Sequence, residues 1–448
     1  MRLDSGAQIK KRRQGVAYPL KKFHNLVKRL MLAEVSNIYR RDEEKESKRK
    51  KQKKQGDCNH NGGKLSLLDV GCGRACDLAK WRDAGLDYVF GIDKSKDIIR
   101  EAVRRSEEAR TPHQVGWHQG RRRWEIRGKA GLTGAMSFEK STGGCHPLQT
   151  AFAQYPHFGT EKFDRAKIEQ LLLRQSSGGS KLLPSFMTTQ GVGGGREEEG
   201  LFSLASSMFA FQFFFESNTT ATTALRNIAQ NLRPGGYAIF VFPDGKRVEE
   251  LFKTASAAEN DNTEDDGSSS YRHKTLLKGA TTVVIPEQIK SNITRRRNSS
   301  NSSDDARNAR GRGIDGVDVF ANDFMRVRRR WKGVPAPEFG AGYIFELKDT
   351  VTEGIIPCER GNSSSSSSSS TGATEYLIDR DSLIARAKCV GLHLVRDWGA
   401  NNSPVADLFE VGDATKGVRH LKPPYLESHP SLAAATRLYA VAVFMKNR

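Results

Sequence analysis

The sequence holds no run of about 18 apolar residues, which excludes a membrane-spanning helix. Its opening stretch, MRLDSGAQIKKRRQG, carries charge but no apolar core, so a secretory signal is not expected. Cysteine is scarce, with six residues at 58, 72, 76, 145, 358 and 389 of 448. They are too scattered for a disulfide scaffold, which points to a reducing compartment. Cys72 and Cys76 are close, but no second Cys/His pair at zinc spacing accompanies them, so no metal is expected. Hydrophobic residues make up only 37% of the chain, low for a compact globule of this length. About a third of the chain is therefore expected outside any core. Acidic residues are outnumbered, 52 Asp+Glu against 72 Lys+Arg, for a net charge of +20. Such a balance suits a polyanionic partner, and nucleic acid is the first candidate.

What is present is an interrupted α/β pattern. Leu20, Phe23, Leu26, Val27, Leu30, Met31 and Val35 recur at helical spacing, which predicts a helix over 16–41. A basic linker or solvated helix extension follows over 42–64. From residue 65 onward the chain reads as one domain. LSLLDV (65–70) predicts a strand, Gly71-Cys72-Gly73 a turn, 77–84 a helix, 88–92 a second strand and 98–106 another helix. Strands alternating with helices imply a doubly wound parallel sheet. Three stretches lack sustained periodicity and are expected to be insertions, near 110–200, 254–315 and 360–373. Between and after them, Leu201–Phe215, Tyr237–Phe242, Leu392–Val395 and Leu438–Phe444 supply further apolar runs.

The sharpest chemical signal is LLDVGCGRACDLAKW (67–81). A strand ending in Asp-Val-Gly-x-Gly places backbone amides at the carboxyl edge of a parallel sheet, where ligands bind. Glycine lets the backbone approach a ligand closely. The dinucleotide fingerprint needs a third glycine three residues after the second, and that position is Cys76. About twenty residues on, Asp93 ends the second strand, where a carboxylate can accept both hydroxyls of a ribose.

This block, with GIDKSKDIIREAVRR, resembles the first two motifs of class I methyltransferases, and in particular the eukaryotic mRNA cap (guanine-N7) methyltransferases. Four further segments resemble that family, in the same order: LKKFHNLVKRLML (20–32), FAFQFFFES with LRNIAQNLRPGGYAIFVFPDG, FGAGYIFELKD with TEYLID, and RLYAVAVFMK. Together they cover roughly half the chain. The resemblance implies a Rossmann-like class I fold with an antiparallel C-terminal strand. It implies methyl transfer from S-adenosylmethionine, with S-adenosylhomocysteine as product, to N7 of the mRNA cap guanosine. Capped pre-mRNA would be the substrate partner, with other capping enzymes or the RNA polymerase II machinery nearby, in the nucleus.

By the same resemblance, Lys28, Gly71, Asp77, Asp93, Met208 and Phe213 line the donor site, Asp77 near the methionine ammonium and Asp93 on the ribose. Asn25, Arg74, Lys80, Arg105, Gln212, Glu375 and Tyr439 hold the cap, with Arg74 and Lys80 expected at the cleft mouth. The chemistry is a displacement at a sulfonium methyl by a nitrogen with a free lone pair, so no catalytic acid or base is expected. The chain departs from the family pattern at several points. Met208 replaces a Gln, Gln212 a His, Phe213 a Tyr, Arg74 a Lys, and Ala75 and Cys76 two glycines. The acid that caps the family's third strand near the adenine should lie within 110–170 and is not evident there. Two alternatives stay open: the same fold acting on another RNA or a small molecule, and a catalytically weakened RNA-binding homologue.

Overall fold

The computed structural model describes residues 18–53, 64–110, 123–127, 133–137, 148–175, 201–260, 319–322, 324–333, 335–347, 374–397 and 430–448. In chain order the elements are α1 (Tyr18–Lys53), β1 (Ser66–Val70), α2 (Leu78–Asp83), β2 (Tyr88–Asp93), α3 (Lys96–Arg110), β3 (Arg123–Arg127) and β4 (Thr133–Ser137). Then come β5 (Gln149–Gln154), α4 (Arg165–Gln175), β6 (Phe202–Met208), α5 (Asn218–Asn231), β7 (Leu232–Pro243) and α6 (Gly245–Asn260). The remainder comprises β8 (Val319–Ala321), β9 (Met325–Arg329), β10 (Gly342–Leu347), β11 (Glu375–Tyr376), α7 (Arg380–Cys389), β12 (Leu392–Asp397), α8 (Pro430–Arg437) and β13 (Tyr439–Lys446).

The chain divides into two compact units. The larger comprises residues 23–243, 378–422 and 439–448 and is built on a seven-stranded sheet of order β12-β13-β7-β6-β1-β2-β5. The pairs β5–β2, β2–β1, β1–β6 and β6–β7 are parallel, whereas β13 runs antiparallel to both β7 and β12. Strand order reverses between β1 and β6, the switch point where a ligand crevice forms. This is the Rossmann-like class I sheet with an antiparallel C-terminal strand that the resemblance implies. The burial pattern explains the arrangement. All five residues of β1 and all seven of β6 are buried, as strands covered on both faces require.

The smaller unit comprises residues 1–22, 244–377 and 423–438. Its sheet is antiparallel, in the order β11-β10-β9-β8. Alternation along β9 buries Met325, Val327 and Arg329 and leaves Arg326 and Arg328 partly exposed, whereas on β10 Ile344 and Glu346 beside them are buried.

Two expected boundaries are corrected. The helix does not stop at 41 but runs through Lys53, so residues 42–53 take the helix-extension reading over the linker one. Its charges explain why: Asp42 pairs with Lys45 one turn on, and Glu46 reaches Arg448 at 3.2 Å. Within the expected insertion 110–200, residues 149–154 form sheet strand β5 and 165–175 form α4. Ala151, Phe152, Ala153, Ile168 and Leu172 are buried there. Backbone ladder β3–β4 also lies in this stretch. The insertion expected over 254–315 is described only to residue 260, as the end of α6, and that over 360–373 lies outside the described residues.

Candidate functional site

The turn after β1 is shaped by three residues in the left-handed region: Gly71 (φ 77°), Gly73 (φ 56°) and Ala75 (φ 52°). A Cβ at Gly71 would stand 2.4 Å from the Cβ of Ala210, so no side chain fits. At Gly73 a Cβ would meet nothing within 4 Å, so the loop is open there to a close-approaching ligand. Ala75 adopts the left-handed conformation despite its Cβ, at a cost of about 1 kcal/mol, which is the physical sense of the glycine the family carries at this position. The amides of Gly71 and Cys72 both donate to the Ile92 carbonyl, at 2.9 and 3.0 Å, which ties the loop to the end of β2.

Asp93 closes this arrangement. One carboxylate oxygen accepts the Gly73 amide at 3.1 Å, and the other accepts the Ser95 amide at 3.0 Å. A carboxylate offers about four lone-pair sites, so two remain for a diol. Asp93 thus holds the loop's shape and keeps acceptor capacity at the carboxyl end of β2.

Asp77, buried at the start of α2, is clamped by two lysines. Lys28 from α1 lies 2.8 Å from one oxygen and Lys80 2.6 Å from the other. Burial pushes the Asp77 carboxyl up, but the two ammonium groups outweigh it and hold it down at about 2. Burial likewise lowers the Lys28 ammonium, while the charge and hydrogen bond of Asp77 outweigh that and raise it. Lys80 is only 5% exposed, and its Nζ also reaches the Cys76 carbonyl at 3.4 Å. Its expected place at the cleft mouth is therefore corrected: three residues after Asp77 it falls on the same helix face and is spent on that carboxylate. Arg74 is exposed. Arg105, on α3, donates to the Cys76 sulfur at 3.1 Å and to Glu101 at 2.9 Å.

The segment after β6 forms the other wall. Met208 and Gln212 are buried. Phe209 takes φ 61°, a strained conformation for a bulky residue. Its ring lies 4.4 Å from that of His24 and 5.1 Å from that of Tyr439, and His24 and Tyr439 meet edge-on at 4.5 Å. The Lys28 ammonium lies 5.6 Å from the Phe209 ring centroid, within cation–π range. The structure thus brings Lys28, Asp77 and Tyr439 to one place, and Asn25 follows His24 on the same helix. The Gln212 amide nitrogen donates to the Phe209 carbonyl at 3.2 Å, while its Oε1 is buried without a partner among the described residues. The His24 Nε2 is in the same condition. Burial, then the charge of Lys28, lowers the His24 pKa to about 3, so the ring is neutral. The Phe213 ring has the Lys94 ammonium 5.3 Å from its centroid. Glu375 belongs to the smaller unit, where Tyr343 directly opposite donates to it at 2.9 Å.

Several residues of this region carry no signal in the sequence reading. Asp69, in β1, accepts a hydrogen bond from the Ser206 hydroxyl of the neighbouring strand. Burial, then the charge of Asp77, pushes its carboxyl up to about 7. His24 and Phe209 stand inside the segments 20–32 and 209–217, but only three-dimensional contact marks them. The third strand of the sheet, β5, ends in Gln154, directly opposite Asp93. An amide therefore stands where the resemblance implies a carboxylate, and its Nε2 donates to the Lys94 carbonyl at 3.1 Å. Among the described residues no cluster of His, Cys, Asp and Glu could hold a metal.

Comparison with known proteins bears on this loop and this wall. The mRNA (guanine-N(7))-methyltransferase domain family matches residues 2–117 and 187–274. An mRNA cap guanine-N(7) methyltransferase of Aspergillus oryzae is 28% identical over 183 residues, covering 40% of this chain and 30% of that protein. One from Pyricularia oryzae is 24% identical over 319 residues, covering 66% of this chain and 51% of that protein. The chain spans 27–30% of the length of the first Aspergillus relatives it matches. A solved S-adenosylmethionine-dependent methyltransferase of Clostridium acetobutylicum is 7% identical, with 86% of this chain and 84% of that one covered at a TM-score of 0.34. The matched residues include the glycine loop, the Asp77 clamp, Asp93 and the Phe209 wall, and through them the chain is similar to the mRNA cap guanine-N7 methyltransferases.

Proposed function

We propose that this protein transfers a methyl group from S-adenosylmethionine to N7 of the guanosine cap at the 5′ end of mRNA. The observation that carries the reading is the loop of residues 71–77 joined to Asp93 and to the Lys28–Asp77–Lys80 clamp, inside a stretch similar to the cap methyltransferase domain. The donor would supply an electrophilic sulfonium methyl. The chain's own residues fit it: Gly73 leaves open space, Asp93 retains acceptor sites for a ribose, and Asp77 is held ionised for an ammonium. Gln154 offers an amide beside the ribose position, and Met208 and Phe213 add apolar surface.

On the acceptor side, guanine N7 has its lone pair free, so the chain has only to place it in line with the methyl carbon. Phe209, Tyr439 and His24 provide flat faces for a base, and the orphan Gln212 Oε1 provides an acceptor for its edge. Arg74 and Arg105 supply positive charge for the triphosphate bridge. Asn25 completes the set by resemblance, and Glu375, in the smaller unit, is assigned to the cap by resemblance alone. The substrate partner is then capped pre-mRNA and the compartment the nucleus, beside the other capping and transcription enzymes.

A donor-binding thermal shift followed by methyl transfer to capped RNA, cap dinucleotide, uncapped RNA and GTP tests this. Transfer confined to the capped substrates is expected, and equal transfer to uncapped RNA would overturn it. A second reading, a homologue with weakened transfer, draws on Gln154, Met208, Gln212 and Phe213 standing where the family has other polar side chains. It predicts capped-RNA binding without measurable transfer.

A further inference from the structure

The antiparallel sheet of the smaller unit carries a second charged feature that the methyl-transfer chemistry does not use. Along β9, Arg326 and Arg328 alternate with the buried Met325 and Val327. The ladder continues one residue further, where the Arg330 amide donates to the Gly342 carbonyl at 2.8 Å. Arg326, Arg328 and Arg330 therefore share one face, spaced about 6.6–6.8 Å apart along the strand. Register places Ala321 and Val319 beside them on β8, and Glu346 and Ile344, both buried, beside them on β10, so the exposed part of this face is Arg330 with the partly exposed Arg326 and Arg328. Glu346 lies 3.9 Å from Arg326, and Arg330 reaches the Thr374 hydroxyl at 3.1 Å. The opposite face is the apolar one, with Phe320, Met325, Val327 and Tyr343 buried, and with Arg329 lying 5.9 Å over the Phe252 ring.

Three guanidinium groups in a row on one strand repel one another. Among the described residues of the paired strands, register sets Glu346 beside them, facing Arg326. Small β-branched residues would suit the partly exposed side of such a strand better. Guanidinium groups are suited to bidentate hydrogen bonds with phosphate oxygens. We propose that the Arg326–Arg328–Arg330 face binds the phosphate backbone of single-stranded RNA, the chain that follows the cap. The inference rests on the proposed capped-RNA substrate, but it concerns the length of RNA beyond the cap and not the methylated guanosine.

The test uses the full chain and the double variant Arg328→Gln/Arg330→Gln, which leaves the Arg326–Glu346 pair in place. Affinity for a long unstructured RNA, capped or uncapped, should fall about tenfold at low salt, and the salt slope should become shallower by roughly 0.7 for each phosphate no longer engaged. The Lys/Lys variant at the same positions should keep most of the slope. KM and kcat for the cap dinucleotide should not change. The single exposed variant Arg330→Gln, which removes no buried group, should show a partial loss in the same direction and guards against a folding artefact. An unchanged slope with long RNA, an equal loss on the dinucleotide, or displacement of RNA by an acidic peptide at lower concentration than by RNA itself would each overturn the proposal. If the wild type binds uncapped RNA through this face but methylates no cap, the cap reading fails while the arginine face stands.

Discussion

Two loops leave the carboxyl ends of adjacent parallel strands, one after β1 and one after β6, and they are satisfied to different degrees. In the first, Gly71, Cys72 and Gly73 all find acceptors on β2, and Asp77 is matched by two ammonium groups. In the second, Phe209 is strained, and Gln212 Oε1 is buried with no partner among the described residues, as is the Ser207 hydroxyl at the end of β6. A wall with unspent acceptors gains most from a ligand, because burying a polar group without a partner costs about 1–3 kcal/mol. The loop after β1 draws its shape from bonds within the chain and keeps its spare acceptor capacity at Asp93. Stability is thus concentrated after β1, and unmet hydrogen-bonding capacity after β6.

The contrast breaks most readily at Asp77. Asp77→Asn removes the charge that Lys28 and Lys80 share and should destabilise the protein by about 3–5 kcal/mol, the scale for breaking a buried pair. Urea unfolding of the ligand-free protein measures this, and a loss below about 1 kcal/mol would remove the clamp from the account. The next effect is one of pH. The Asp69 carboxyl, raised to about 7, stays protonated in the folded protein between about pH 4 and 7 while the unfolded chain releases the proton. The folded state then binds more protons, so stability from this group falls as pH rises through that window. His24 acts in the opposite sense: folded it stays neutral to about 3, while unfolded it charges below about 6.5, so stability falls as pH drops. The two oppose each other in the wild type. Asp69→Asn should leave only the second, so unfolding free energy should climb by on the order of 2–3 kcal/mol from pH 4 to 6.5. A flat profile in the variant would contradict the His24 assignment, and identical profiles in variant and wild type would contradict that of Asp69.

Smaller still is the effect on the donor. Asp93→Ala should weaken S-adenosylmethionine binding by about 1.5–3 kcal/mol, roughly ten- to a hundredfold. Calorimetry reads this directly, and unchanged affinity would remove Asp93 from the ribose. Least of all should change at Gln212. Gln212→Met keeps the volume and removes an unsatisfied acceptor, so the stability of the ligand-free protein should move by less than about 0.5 kcal/mol. Cap affinity should fall nonetheless, and a large stability loss would mean that the second loop is as self-satisfied as the first.

The loop after β1 is legible in the sequence because its constraint is local: glycines at positive φ and an acid at a strand end are written in consecutive residues. Strand β5 hides in a stretch that reads as an insertion. Its core contribution is Ala151, Phe152 and Ala153, and two alanines give little alternation signal. The helix after it carries Ile168, Leu171 and Leu172 at helical spacing, a signal too short to stand out from its surroundings. Lys80 escapes because a motif gives residue type and spacing but not which charge a helix face spends on its own chain. Its position three residues after Asp77 holds that answer. The length of α1 is obscured by its charge run, which reads equally as a linker until Asp42 and Glu46 find Tyr237 and Arg448. His24, Phe209 and Asp69 draw their meaning from partners far away in the chain, which no local pattern records.

Helix α1 also sets an order of events. Its Glu34 pairs with Arg396, its Asp42 accepts from Tyr237 at 2.6 Å, and its Glu46 pairs with Arg448, separations of 362, 195 and 402 residues. The helix has near partners in Asp77, Asp83 and the Ala84 and Gly85 carbonyls, 44–54 residues away, but these three pairs wait for residues made far later in the chain. Contacts of such sequence separation slow folding, because loop-closure entropy is lost before they form. Lys28 can therefore meet Asp77, across 49 residues, before the distant pairs form, and a truncated chain would keep the clamp while losing the partners of Glu34 and Glu46.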